Sequence, residues 1–292
     1  MSTLHVHDGT AQLYRQFFGG TPFTSPEGTE VGAVLGVCQA LTRSVREHLP
    51  PLVAVVFDTG KPSFRSALYP DYKGNRALPP DALLPQFDLT RQAVAALGLP
   101  IFAVDGFEAD DLMATLTARA RRRGHQVVLH ANDKDILQLV GPGVSVEDPR
   151  THERLDDAGV IAKMGVRPDQ IVDFLALTGD AVDNLPGVKG VGAKSAQALL
   201  AEFDHLEDLY GGLERVLYLK VRGARALQNK LAEGKEQAYL TRELVLLRRD
   251  APIPGLSAES DLRPTFPGPD ADALFDRLGF HRPLRAMRGL FG

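Results

Sequence analysis

Acidic residues recur where apolar, strand-like segments end, and this arrangement limits the folds open to the chain. Residues 53–57 form a continuous β-branched and aromatic run, which is typical of a strand buried on both faces, and Asp58 follows it. A second apolar segment, residues 4–7, ends at Asp8. The carboxyl ends of parallel strands lie at one edge of a sheet, where ligands bind. The sequence therefore predicts an acidic rim on a parallel sheet.

Strand-like segments alternate with helical ones up to about residue 155, and only helical patterns follow. Further strands are expected at residues 101–104, 126–130 and 144–147. Apolar residues at helical spacing predict helices at residues 31–48, 83–97, 108–123, 169–177, 191–203, 205–247 and 271–278. This order favours an α/β fold with a mixed, mainly parallel sheet flanked by helices, followed by a helical part.

Composition places the protein in a reducing compartment and gives little guidance about its partner. Cys38 is the only cysteine, so an internal disulfide is impossible, and the first residues lack the apolar stretch of a signal peptide. The longest apolar run, residues 52–57, is too short to span a bilayer, and we expect a cytoplasmic protein without a membrane partner. The net charge of −4 argues weakly against nucleic acid, although several Lys and Arg residues cluster.

Nine acids beside apolar segments are the candidate metal ligands. Carboxylates brought together repel each other and resist losing water, so a fold that gathers them needs cations. Oxygen-only ligand sets suit hard divalent ions, and paired Mg²⁺ ions indicate phosphodiester or phosphate chemistry. Each acid alone has a simpler interpretation as a turn, cap or solvated loop residue. The nine are Asp8, Asp58, Glu108, Asp110, Asp111, Asp133, Asp135, Asp180 and Asp183.

A glycine-rich turn precedes the predicted helix at residues 191–203. Gly187, Gly190 and Gly192 permit positive φ and close backbone approach, while Lys189 and Lys194 add charge. The exposed N–H groups at the following helix start would hold a phosphate oxygen, which positions a duplex without reading its sequence. The simpler alternative is a tight turn between two packed helices.

Together these motifs resemble the 5′ nucleases. This family includes the nuclease domain of bacterial DNA polymerase I, stand-alone 5′→3′ exonucleases and flap endonucleases. The resemblance covers residues 4–250 and rests on segments 7–9, 56–58, 63–65, 72–76, 107–111, 133–135 and 178–192. It implies a PIN-like α/β core, with a helical arch and a helix–hairpin–helix-type part that binds DNA. The expected divisions are residues 1–160 for the core, with its arch at about 62–88, then 161–260 for the helical part and 261–292 for a C-terminal tail. Residues 59–82 are rich in Pro, Gly and charged residues with little periodicity, which favours a mobile surface excursion.

The same resemblance implies roles for individual residues. The first of two Mg²⁺ or Mn²⁺ ions would be surrounded by Asp8, Asp58, Glu108, Asp110, Asp111 and Asp133, and the second by Asp135, Asp180 and Asp183. Lys73 and Arg76 would neutralise the phosphate under attack, and Tyr72 would stack on an unpaired base. DNA contacts are expected from Phe64, Arg65, Gly187, Lys189, Gly190, Gly192, Lys194 and Ser195, with a K⁺ ion at the glycine turn.

The expected activity is structure-specific hydrolysis at 5′ ends, flaps or junctions of DNA, with RNA primers among the expected substrates. We expect a monomer that acts in replication and repair, as a stand-alone enzyme rather than a severed polymerase domain. Three alternatives stay open: a ribonuclease of the related PIN class, a non-catalytic binder of branched DNA, and a phosphatase for small substrates. The length of the chain argues against a PIN ribonuclease, and the complete acidic set argues against a non-catalytic binder. The turn and arch motifs argue against a phosphatase.

Overall fold

The computed structural model describes residues 2–291. Its strands are β1 (Thr3–Asp8), β2 (Leu52–Val56), β3 (Ile101–Phe102), β4 (Gln126–His130), β5 (Val144–Glu147), β6 (Arg154–Leu155), β7 (Gly179–Asp180) and β8 (Leu185–Pro186).

The α-helices are α1 (Gly9–Gly19), α2 (Gly32–His48), α3 (Phe64–Leu68), α4 (Leu84–Ala96), α5 (Ala109–Arg122), α6 (Asp157–Met164), α7 (Ile171–Thr178), α8 (Ala193–Glu202), α9 (Leu206–Gly211), α10 (Ala224–Glu233), α11 (Lys235–Val245), α12 (Asp270–Leu278) and α13 (Arg282–Phe291). Short 3₁₀ helices occur at Asp135–Leu139, Pro168–Gln170, Leu213–Tyr218 and Glu259–Leu262.

The chain divides into two compact units, each assembled from separate segments. Unit 1 comprises residues 2–61, 78–131 and 249–291, and unit 2 comprises residues 62–77 and 132–248. The boundaries therefore differ from a single division near residue 160. Among residues 2–291, no helix combines the length and the apolar character needed to cross a membrane.

Unit 1 contains parallel strands in the order β3-β2-β1-β4. All five residues of β2 are buried, as its apolar run predicts. The register places Asp8 at the end of β1 beside Val56 at the end of β2, so two predicted acidic positions lie at the same edge. In unit 2, β5 and β6 form an antiparallel pair. These pairings confirm the predicted α/β fold with a mixed, mainly parallel sheet.

The hydrophobic core of unit 1 includes the helices at the C-terminus. Phe275 and Leu278 of α12 and Met287 of α13 are buried in one cluster with Val34 of α2 and Val94 of α4. We expected residues 261–292 to form a C-terminal tail with a helix at residues 271–278. Helix α12 agrees with that helix, but the described part of the segment also contains α13 and contributes buried residues to the core. The prolines of this segment lie between or at the starts of its helices, where proline is tolerated, so they do not prevent packing.

Unit 2 is mainly helical. Its helix α7 is largely buried and packs against α8 and α11. The two-residue strands β7 and β8 pair antiparallel within it, although no strand was expected after residue 155. Such short pairs carry too little periodicity to be recognised in a sequence.

The expected arch does not form one element. Residues 62–77 belong to unit 2 and contain α3, whereas residues 84–88 lie in α4, which packs on α2 in unit 1. The expectation of an excursion without regular structure over residues 59–82 therefore holds only outside α3. Gln86 shows why α4 is fixed: its buried side-chain oxygen accepts hydrogen bonds from the N–H groups of Ala33 and Val34 at the start of α2.

Candidate metal centre

Two acids of unit 1 lie where neighbouring strands end. Asp8 is the last residue of β1, and its Oδ1 accepts a hydrogen bond of 2.8 Å from the Ala11 amide at the start of α1. Asp58 follows β2 by two residues. A Cβ atom on Gly9 would lie 2.4 Å from the Phe57 ring, so only glycine permits this close approach of the two strand ends. The structure thus places Asp8 and Asp58 at the predicted edge.

The start of α5 gathers the other acids of unit 1. The Asp58 Oδ1 atom accepts a hydrogen bond of 2.8 Å from the Ala109 amide, and Asp111 Oδ2 accepts one of 3.1 Å from the Glu108 amide. Asp110 lies in the same first turn. The unpaired N–H groups and the dipole of a helix start favour negative charge, which explains why carboxylates are tolerated there. Three of the five predicted ligands in unit 1 therefore lie at one helix start, and a fourth, Asp58, accepts a hydrogen bond from it.

Unit 2 contains the tightest acidic cluster among the described residues. Asp135, Asp180 and Asp183 are all buried, and each offers a carboxylate oxygen such that the three oxygens lie within 4.8 Å of one another. Asp180 belongs to β7, Asp183 precedes β8, and Asp135 begins a 3₁₀ helix. We call this set the aspartate triple. It brings together all three residues expected at the second ion.

The raised pKa values in this cluster reflect the free-energy cost of placing several carboxylates close together. Burial, together with the negative charges of Asp133, Asp183 and Asp180, raises the pKa of Asp135 well above its ordinary value. Loss of hydration and the charges of Asp183 and Asp180 also raise the pKa of Asp133, although that residue retains access to solvent. Within residues 2–291, the buried Asp135 Oδ1 atom has no hydrogen-bond partner. A hard divalent cation fits this set because it would bind the carboxylate oxygens and offset their repulsion.

Lys134 supplies a positive charge beside the aspartate triple, and it was not among the predicted site residues. Its Nζ atom lies 3.0 Å from Asp180 Oδ1. The available signal was its position between Asp133 and Asp135 in an acidic motif. This lysine partly balances the aspartate triple.

The predicted catalytic residues of the arch contact Asp183. Tyr72 donates a hydrogen bond of 3.1 Å to Asp183 Oδ2, Lys73 Nζ lies 3.8 Å from the same oxygen, and Arg76 forms an ion pair with Oδ1. The backbone amide of Lys73 also donates to the Asp183 carbonyl at 3.0 Å. The structure therefore joins three predicted catalytic side chains to one predicted metal ligand.

Two asparagine side chains connect residues 71–75 with residues 181–184. Asn75 donates to the Ala181 carbonyl at 2.8 Å, and Asn184 donates to the Asp71 carbonyl at 2.7 Å. Neither asparagine was singled out in the sequence, because the residues it bonds are more than 100 positions away.

Phe64 and Arg65 make contacts with other residues of unit 2. Arg65 is only 2% exposed, and its Nε donates a hydrogen bond of 2.7 Å to the Leu244 carbonyl. The Phe64 ring has the guanidinium groups of Arg65 and Arg248 at 4.5 and 4.7 Å from its centroid. These contacts stabilise unit 2, and a direct role of Phe64 or Arg65 in DNA binding stays a prediction.

The glycine turn has the close approaches that its sequence predicts. A Cβ atom on Gly187 would lie 2.2 Å from the Gly179 nitrogen, so this position requires glycine. Gly190 has φ of +78°. Gly192 caps α8, with Lys189 and Lys194 exposed and Ser195 in the first turn. The turn therefore presents backbone N–H groups and positive charge on one short segment.

Lys230 of α10 also reaches this turn. Its Nζ atom donates a hydrogen bond of 3.3 Å to the Gly190 carbonyl. The two residues are 40 positions apart, so only the fold relates them.

An α/β fold with acidic strand ends and a buried aspartate triple gives this protein a candidate site for a divalent cation. Residues 3–165 match the family described as "5'-3' exonuclease, N-terminal resolvase-like domain", and residues 166–265 match "5'-3' exonuclease, C-terminal SAM fold". The chain is 34% identical to a 5'-3' exonuclease of Aquifex aeolicus, over 95% of this chain and 91% of that protein. The chain therefore belongs to the 5'-3' exonuclease family.

Longer relatives and solved structures agree with this assignment. DNA polymerase I of Pseudomonas aeruginosa is 41% identical over 91% of this chain, but the chain spans only 29% of that protein. A structure of the bacteriophage T5 flap endonuclease in a pseudo-enzyme-product complex with DNA and metal ions has a TM-score of 0.65 and 21% identity. It covers 99% of this chain and 98% of its own, and at this identity it shows the fold alone.

Proposed function

We propose that the protein is a structure-specific 5′ nuclease that hydrolyses phosphodiester bonds at 5′ ends, flaps or junctions of DNA. The observation that carries this proposal is the aspartate triple, in which three buried carboxylates lie within 4.8 Å of one another in a chain of the 5'-3' exonuclease family. Buried like charges of this kind are costly unless a cation binds them. The proposed role is removal of flaps or primers in replication and repair.

The carboxylates of both units are the proposed ligands of two divalent ions. Mg²⁺ or Mn²⁺ bound there would polarise the scissile phosphate and activate water. The proposed ligands in unit 1 are Asp8, Asp58, Glu108, Asp110 and Asp111, and those in unit 2 are Asp133, Asp135, Asp180 and Asp183. The raised pKa of Asp135 supports this role, because a bound cation favours the ionised carboxylate and would offset the burial and repulsion that raise this pKa.

Lys73 and Arg76 are proposed to neutralise the phosphate under attack. Both already contact Asp183, so they are held close to one proposed metal ligand. Fixed positive charges in a water-poor site stabilise the additional charge of a phosphoryl transition state. The Tyr72 ring is buried, with Lys73 Nζ at 4.9 Å from its centroid, so stacking on an unpaired base requires the ring to leave this position.

The glycine turn is proposed to hold the duplex through its phosphates. Its exposed lysines and the N–H groups at the start of α8 are suited to a phosphate oxygen. A K⁺ ion bound by the carbonyls of the turn is part of the same proposal. Because such contacts ignore base identity, the shape of the DNA would determine where the enzyme cuts.

A cleavage assay with matched variants tests this function. End-labelled flap, nicked and blunt DNA would be incubated with Mg²⁺ or Mn²⁺, with a flap of the same sequence in RNA as a comparison. We expect cleavage near the flap junction, and we expect Asp135→Asn to lower its rate by at least about a thousandfold, since a cation ligand acts on the transition state. The exposed Asp169→Asn is the matched control and should leave the rate unchanged.

The outcomes separate the alternatives. Cleavage of the RNA flap alone would indicate a ribonuclease, and binding of flap DNA without any cleavage would indicate a non-catalytic binder. An active Asp135→Asn variant would show that the aspartate triple is not required for cleavage.

A further inference from the structure

A basic segment of unit 2 lies outside every contact described so far. Residues 217–225 contain three basic residues and no acidic one. Lys220, Arg222 and Arg225 are exposed, and Tyr218 beside them is 85% exposed. Three cations and an accessible aromatic ring therefore lie within one short stretch of surface.

These cations have no internal partners. Within residues 2–291, Lys220, Arg222 and Arg225 form neither an ion pair nor a side-chain hydrogen bond. Other arginines of unit 2 do: Arg167 pairs with Asp169 and Asp204, Arg215 with Glu202, and Arg242 with Asp173 and Glu207. The charge of this segment is therefore available to an external anion.

The segment is nevertheless held firmly in place. Val216 before it and Leu231 after it are fully buried, and Leu227 is 6% exposed. Gln228 donates a hydrogen bond of 3.1 Å to the Leu213 carbonyl, which ties α10 to the preceding 3₁₀ helix. The three cations thus project from an anchored segment, so little conformational entropy of the backbone would be lost on binding.

Helix α10 connects this segment to the glycine turn. Arg225 lies in its first turn and Arg222 two residues before it, whereas Lys230 near its end bonds the Gly190 carbonyl. Five residues at 1.5 Å per residue separate Arg225 from Lys230 by about 7.5 Å along the helix. Double-stranded DNA carries about four phosphate charges over that length of its axis. A duplex held at the glycine turn would therefore extend past the basic segment if it followed α10.

We propose that Lys220, Arg222 and Arg225, with Tyr218 beside them, form a second surface that binds the phosphate backbone of the DNA duplex. This proposal rests on the proposed nuclease function and adds a partner surface to it. The surface has the charge to bind phosphates, and contacts to phosphates hold duplex DNA without reading its sequence.

Salt dependence of binding tests the surface directly. Anisotropy of a labelled flap DNA with a long duplex arm would be measured in EDTA, between about 50 and 200 mM salt. The variant Arg222→Ala/Arg225→Ala should lower the slope of log K against log salt by about 1.8, since each lost phosphate contact removes about 0.9. The control Arg150→Ala/Lys163→Ala removes the same charge from exposed positions of unit 2 and should change the slope much less.

A fluorescent reporter adds an independent measurement. The protein has no tryptophan, so Tyr218→Trp would introduce a single one at the proposed surface. We expect duplex DNA to change its emission, whereas Phe266→Trp, at an exposed position of unit 1, should report no change. If the alanine variant is less stable in a thermal melt, Arg222→Gln/Arg225→Gln repeats the test with longer side chains.

The proposed surface and the proposed function can fail separately. Equal salt slopes for the test and control variants, in a protein that still cleaves flaps, would overturn the surface and leave the nuclease function intact. A wild-type protein that neither binds nor cleaves DNA would overturn both. A reduced slope, with cleavage at saturating DNA unchanged, is the result that the proposal predicts.

Discussion

At the scale of single residues, His7 links the stability of unit 1 to pH. Its ring stacks on His130 with centroids 4.0 Å apart, and burial, together with the nearby His5 and His48, lowers the pKa of His7 to about 3. Within residues 2–291, the buried His7 Nε2 atom has no hydrogen-bond partner. The residue is therefore neutral in the folded protein well below the pH at which a free histidine becomes charged.

Acid destabilises the folded protein through His7. Its pKa is lower in the folded than in the unfolded protein, so the unfolded state binds more protons below pH 6.5, and stability falls as pH decreases from 6.5 towards 3. At pH 4.5 this amounts to about 3 kcal/mol. Urea unfolding in EDTA should show that His7→Leu loses about that much less stability than wild type between pH 7 and pH 4.5. Equal losses in the two proteins would contradict the assignment of a buried neutral His7.

At the scale of elements, residues 69–77 and the β7–β8 loop form a closed arrangement around Asp183. Tyr72, Lys73 and Arg76 approach its carboxylate, and Asn184 bonds back to the Asp71 carbonyl. The cations of the arch and a divalent ion would therefore compete for the same carboxylate. Removal of one of these cations should therefore strengthen binding of the divalent ion and slow catalysis.

Arg76→Ala separates these two effects. Because the Arg76 side chain is partly exposed, its ion pair with Asp183 is worth about 1 kcal/mol or less. Its loss should tighten Mn²⁺ binding about two- to fivefold, measured by electron paramagnetic resonance, while flap cleavage slows. Arg215→Ala breaks a similar exposed ion pair with Glu202 and should change neither quantity. Weaker Mn²⁺ binding by Arg76→Ala would show that Arg76 supports the ion site instead of competing for it.

The helices at the C-terminus make a second prediction about elements. Phe275 of α12 is fully buried in the core of unit 1, so Phe275→Ala should destabilise the protein by about 3–5 kcal/mol in denaturant unfolding. Phe266→Ala, at a residue 56% exposed, should cost no more than about 0.5 kcal/mol. Similarly small effects of both substitutions would show that α12 is not part of this core.

The elements also show which features a sequence reveals. The β2 strand and its following Asp58 were predictable, because an unbroken apolar run has few other interpretations. Helix α13 was not predicted, because one proline and three arginines interrupt its apolar pattern. Its apolar face becomes evident only in the structure, where Leu284 and Met287 are buried in the core. Contacts such as Lys230 with Gly190 depend on tertiary structure, and local sequence holds no signal for them.

At the scale of the whole molecule, a chain with a net charge of −4 is proposed to bind a polyanion. The nine proposed metal ligands account for more than that excess of negative charge, and bound cations would offset it. The positive charge proposed for DNA lies elsewhere, on the glycine turn and on residues 220–225 of unit 2. The distribution of charge, rather than its sum, therefore agrees with membership of the 5'-3' exonuclease family.

The most direct test of the central claim is an anomalous difference map from a crystal soaked in Mn²⁺. The account predicts a peak within about 2.0–2.6 Å of oxygens of Asp135, Asp180 and Asp183, the range of bonds between hard cations and oxygen. It also predicts that this peak disappears in Asp135→Asn crystals. A well-ordered wild-type crystal without a Mn²⁺ peak at the aspartate triple would contradict the account.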